Sequence, residues 1–106
     1  IHVEDLASLY RQIVEGRWSG TFHGVDGEPV RLADVAAAAS EAAGAGGATR
    51  AVPVELAREK LGLLADADCL DQKLDAPAAR RLGWAPLHPS FPDAATKAFR
   101  DWSDTR

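Results

Sequence analysis

The chain of 106 residues has no methionine, a single cysteine, a single tyrosine and no excess of positive charge. Each scarcity excludes something. With Cys69 alone, no disulfide can close within the chain and no zinc site can be built from cysteines. A reduced, cytoplasmic setting is the simplest expectation, with Cys69 as a small buried apolar residue. The formal charge of −4 argues against nucleic acid and anionic membrane as main partners, since both need a basic surface. No apolar run approaches the ~20 residues that span a bilayer, and the opening residues carry no signal-peptide pattern. The only tyrosine, Tyr10, has Val14 four residues on, so there is no tyrosine–lysine pair at that spacing. There is also no Gly-x-Ser-x-Gly turn. Gly44, Gly46 and Gly47 follow a helical pattern rather than a strand, the wrong order for a phosphate loop. His2, His23 and His88 are far apart and match no spaced metal motif; each reads as a structural or surface residue. The missing methionine, with Ile1-His2-Val3 reading as the middle of an element, leads to the expectation of a piece of a longer chain.

What is present supports one small domain over residues 1–106. A hydrophobic share of 46% allows a core, although much of it is alanine, so the aromatic residues must supply much of the packing. The most informative stretch is Leu74 to Pro86. Asp75 is placed to cap a short helix and Pro77 suits its first turn. Gly83 can take the left-handed conformation that ends it, Pro86 prevents a restart, and Trp84 is expected to turn back onto the body of the domain.

Along the rest of the chain, Ile1-His2-Val3 reads as the end of a strand. Leu6, Leu9, Tyr10 and Ile13 fall on one face of a helix over about 4–15, with the acids Glu4 and Asp5 at its start and Gly16 at its close. Gly20 to Val25 alternates as a short strand with Phe22 inward, Asp26-Gly27 is a turn, and Glu28-Pro29-Val30 is extended. A second helix over 32–43 presents Leu32, Val35, Ala36 and Ala39 as its apolar stripe. Thr49 to Val54 reads as an edge strand interrupted by Pro53, followed by a helix over 54–61 that stops at Gly62. Residues 63–72 read as partly helical, 87–92 as a proline-stiffened loop, and 93–102 as an amphipathic helix with Ala95, Phe99 and Trp102 inward. The expected class is α/β, a small mixed domain of short strands and about five helices.

Two groups of residues carry a family resemblance. Ile1-His2-Val3-Glu4-Asp5-Leu6-Ala7, then Gly20-Thr21-Phe22-His23 and Gly27-Glu28-Pro29-Val30, resemble the C-terminal part of extended short-chain dehydrogenase/reductases, the NAD-dependent epimerase/dehydratase superfamily. Ala79-Arg80-Arg81-Leu82-Gly83-Trp84-Ala85-Pro86 is similar to the arginine-x-leucine-glycine-tryptophan stretch near that family's C-terminus. The resemblance implies the substrate-binding lobe of a two-lobed enzyme, acting on a nucleotide sugar or a similar small carbonyl or hydroxyl compound. It also implies a missing N-terminal Rossmann lobe that holds NAD or NADP, no cofactor site in this chain, and a homodimer as an allowed assembly. The family's glycine fingerprint and Tyr-x-x-x-Lys pair are both lacking here, so this chain alone is expected to be inactive. By the same resemblance His2, Val3 and Asp5 sit at the mouth of the substrate cleft. Asp71-Gln72 is similar to a segment of some atypical members and has no assigned role. The competing expectation is a free-standing, non-catalytic α/β module that binds a protein partner. An apolar patch on the side of the N-terminus separates the two, because a lobe parted from its neighbour exposes one.

Overall fold

A computed structural model describes residues 1–27 and 29–106. Among these the chain forms six helices and no strand: α1 Val3–Glu15, α2 Leu32–Ala42, α3 Val54–Leu61, α4 Leu64–Asp68, α5 Pro77–Arg81 and α6 Phe91–Asp104. The α/β expectation is therefore wrong, and this is an all-helical body with long irregular connections. The segments read as strands, Ile1–Val3, 20–25 and 49–54, fail for one reason. Alternation makes a sheet only where a second strand pairs with the first, and none lies alongside them. Val3 instead opens α1. Residues 19–27 cross the core as irregular chain, with Phe22 and Val25 packed inward. The extended backbone expected at Glu28 lies outside the described residues. None of the described helices is long and apolar enough to cross a membrane.

The core forms where α1 meets the 76–84 segment. Leu9, Ala76, Ala79 and Trp84 are buried together, with Ile13, Trp18, Phe22 and Val25 partly buried around them. Trp84 is only 1% exposed, and the reason lies in how α5 ends. Gly83 takes a φ of 93°, which lets the Trp84 N–H donate to Ala79 O and the Gly83 N–H to Arg80 O. This paired closure turns the chain sharply back on the helix and drives the indole into α1. Asp75 sits one residue earlier than expected: Ala76 is the N-cap, and the Asp75 carboxylate accepts the Ala76 N–H.

α1 closes in the same way, but without glycine in the critical place. The Trp18 N–H donates to Ile13 O and the Arg17 N–H to Val14 O, so Arg17, not Gly16, carries the left-handed φ of 51°. A side chain there costs free energy that glycine does not. Arg17→Gly is expected to raise stability by about 0.5–1 kcal/mol, read as a higher urea midpoint, after allowance for the extra freedom of the unfolded chain. Gly16 is small for a different reason, since a Cβ there would collide with the Trp18 indole.

Elsewhere α2 packs against α6. The inward face of α2 carries Val35, Ala38 and Ala42, while Leu32, Ala36 and Ala39 of the expected stripe face solvent. On α6, Ala95 is buried but Phe99 and Trp102 are exposed. Trp102 instead lies beneath the Arg106 guanidinium, 4.2 Å from ring centroid to charge centre. Pro92 falls in the first turn of α6, where its missing N–H removes no helical bond. Cys69 is exposed rather than buried.

Candidate functional site

The N-terminal turn of α1 is where polar chemistry concentrates. His2 is the helix N-cap, and its Nδ1 accepts the Glu4 N–H at 3.2 Å. Two residues along, Asp5 is 1% exposed, a charged group buried at the start of a helix. It is held from a distant part of the chain. Its carboxylate accepts the Leu87 N–H at 2.8 Å and the His88 N–H at 2.9 Å, and it lies 3.3 Å from His88 Nδ1. The Asp5 carbonyl also accepts from Ser8 Oγ and from the Trp84 indole N–H, which Ser8 Oγ shares at 3.0 Å. Every polar atom of this knot has a partner, as burial demands.

Burial alone raises the Asp5 carboxyl. The two backbone donors, reinforced by the charge and hydrogen bond of His88, outweigh it and hold the group below its ordinary value of 3.8. The folded pKa is thus depressed, so the stabilisation Asp5 provides is complete above 3.8 and is lost as pH falls through the lower folded value. Stability measured in urea is expected to decline steeply only below about pH 4, and that acid limb is expected to be shallower when Asp5 is replaced, the ion-paired Asp34 and Asp66 keeping a smaller share of it.

Outside this knot, His88 and His2 stack face to face, with ring centroids 3.9 Å apart and planes 20° from parallel. His88 Nε2 lies 3.6 Å from Glu4 Oε2. The stack borders two adjoining clefts of about 250 and 280 Å³. One runs along α6 beside Glu4, Asp93 and Lys97, the other beside Ile1, Val3 and Phe91. The Gly27 backbone passes so close to the Pro89 carbonyl that no Cβ fits, and Arg80 Nη2 donates to Asp26 O at 2.8 Å. These two contacts fix the loop behind the clefts.

No protein-family model, no curated protein and no solved structure matches the chain. The placement of the sequence-derived residues therefore rests on geometry alone. His2 and Val3 do reach a cleft, and Asp5 does not: it supports the turn from within. Glu4, read from the sequence as a helix-terminal charge, and His88, read as a loop residue, complete the cluster. Nothing local in the sequence signals that meeting, since 83 residues separate Asp5 from His88. The prolines at 86, 89 and 92 are the one hint, because they mark a stiff segment able to hold a ligand-sized gap. His23 stands exposed and apart, and Asp71-Gln72 border a separate shallow cleft beside Arg31.

Proposed function

We propose that this chain is the substrate-binding portion of an NAD(P)-dependent epimerase, dehydratase or reductase, working against a separate nucleotide-binding lobe that carries cofactor and proton-transfer residues. The observation that carries the reading is an excess of open surface. The chain exposes 8088 Å², about 2,400 Å² more than a compact monomer of its mass. Its radius of gyration is 16.2 Å, against about 13 Å for a compact domain of this length. An excess of that size is what one side of a large, permanent interface buries.

The open surface has an apolar focus on the side of the N-terminus. Val3, Ala7, Tyr10 and Val14 follow one another at i, i+4, i+7 and i+11 along α1, all exposed, with Val3 at 73%, Tyr10 at 65% and Val14 at 75%. A helix that shows such a stripe to water, while burying Leu9 and Asp5 on its other side, is built to be covered on both faces. The adjoining clefts at His2 and His88 border the same end of α1, where a small-molecule substrate would be enclosed between two lobes. A cytoplasmic setting goes with this reading, and the exposed thiol of Cys69 is compatible with it.

Binding of an apolar fluorescent dye tests the open face. The chain is expected to bind dye, and Val3→Ser with Tyr10→Ser and Val14→Ser is expected to abolish most of the signal. A monomer that binds no dye contradicts the reading.

A further inference from the structure

We propose that His2, Glu4 and His88 form a binding site for one divalent transition-metal ion of the zinc class, with one coordination position open to the cleft beside α6. This inference does not depend on the enzyme reading above. The three side chains each offer a ligand atom, and these atoms all lie within 4.8 Å of one another. Two imidazoles with one carboxylate are a donor set that suits zinc and its neighbours, and three protein ligands leave room for water or a ligand oxygen.

One of the distances is already close to what an ion needs. Zinc with bonds of about 2.0–2.1 Å spaces its tetrahedral ligand atoms about 3.4 Å apart, and His88 Nε2 already stands 3.6 Å from Glu4 Oε2. The rings of His2 and His88 are stacked, so one of them, the solvent-accessible His2, must turn out of the stack before both lone pairs meet one ion.

Support behind the ligands is better developed than at an ordinary surface cluster. The buried Asp5 carboxylate faces His88 Nδ1, an arrangement that suits the tautomer with its proton on Nδ1 and its Nε2 lone pair free for a metal. A carboxylate that orients a histidine in this way is the usual partner of a metal-binding imidazole. The main-chain bonds from Leu87 and His88 to the same carboxylate fix the position of the ring's backbone. Charge also favours a cation. The N-terminus of α1 contributes about half a positive unit, against full negative charges on Glu4 and Asp5. Lys97, the cation lining the cleft, is paired with Asp101. The one concession is at His2, whose Nδ1 accepts the Glu4 N–H. An ion held by that nitrogen displaces the cap bond, and at either ring nitrogen protons compete with the metal.

The test is zinc binding by calorimetry at pH 7.5 to the full chain with its N-terminal amine acetylated, so that Ile1 and His2 cannot chelate through the amine. One zinc per chain in the micromolar range is expected, together with a rise in melting temperature at saturating zinc. Glu4→Gln, His2→Gln and His88→Gln are each expected to weaken binding about tenfold or more, while His23→Gln leaves it unchanged. Glu4 is exposed and has no partner in the core, so Glu4→Gln keeps the test meaningful if a histidine variant folds poorly. Cobalt in place of zinc is expected to show visible d–d bands without a thiolate charge-transfer band. Absence of binding up to millimolar zinc overturns the proposal. So does binding that survives Glu4→Gln, or that is lost only in Cys69→Ser.

Discussion

Replacing Asp5 by alanine is expected to cost about 3–5 kcal/mol, a large part of the stability of any small domain. The effect is out of proportion to the size of the side chain because of what remains. The Leu87 and His88 N–H groups lose the shared acceptor that ties their segment to α1, and the space of a fully buried side chain opens beside the core. Asp5→Asn is expected to cost about 2 kcal/mol, since an amide keeps one acceptor oxygen but turns its own donors toward a backbone N–H. The urea midpoint measures both. A second readout is the chemical shift of the His88 ring, which is expected to move in Asp5→Asn even under conditions where the chain stays folded. An unchanged His88 signal would mean that the ring is held by something other than Asp5.

Trp84→Ala is expected to cost a comparable ~3–5 kcal/mol, by the transfer and cavity terms of a large buried ring. The indole joins three parts of the molecule. It packs with Leu9 of α1 and with Ala76 and Ala79 of the segment before it, and its N–H reaches Ser8 Oγ and Asp5 O. Its fully buried neighbours are two alanines and one leucine, and the larger Ile13, Trp18, Phe22 and Val25 around them are only partly buried, so collapse into the space is incomplete. Trp84→Phe separates the two contributions. It keeps most of the apolar area, loses the N–H, and is expected to cost about 1–2 kcal/mol. If alanine and phenylalanine prove equally mild, the core does not centre on Trp84.

The behaviour of Trp84 also shows what a sequence can and cannot carry. Pro77, Gly83 and Pro86 act on the chain through local sterics, and local sterics are written in the residues themselves. The short helix and the inward tryptophan therefore follow from the sequence. The same holds for α1, α2 and α3, whose apolar spacing and terminal residues mark their ends to within a residue or so. Glycines were less decisive than they looked. At the end of α1 the left-handed position falls on Arg17, a residue no rule of thumb would choose.

The strands failed because a strand is not a local object. Gly20 to Val25 alternates correctly and does place Phe22 inward, but a sheet also requires partners, and the described residues supply none. The stripe of α2 failed for a related reason. An alanine-rich helix has nearly equal faces, and contact with α6 decides which one turns inward. At the site, His2 and Asp5 could be singled out from the residues around a helix start, whereas Glu4 and His88 gain meaning only when the 87–88 segment is folded against α1. Asp5 shows how burial separates two tasks open to a residue at a helix start. Its resemblance to a family motif points to a cleft, while its burial and its backbone partners make it the support of the cleft's wall.

On the proposed reading, this body is one part of a larger whole that covers the exposed face of α1. An intact mass of the native product in its source cells, combined with a peptide map of its N-terminal region, tests that most directly. A product two to three times the mass of these residues is expected, with a glycine-rich strand-turn-helix segment upstream of Ile1. A native product that begins at or just before Ile1 would contradict it, and would leave Val3, Tyr10 and Val14 as the contact surface of a binding module for another protein.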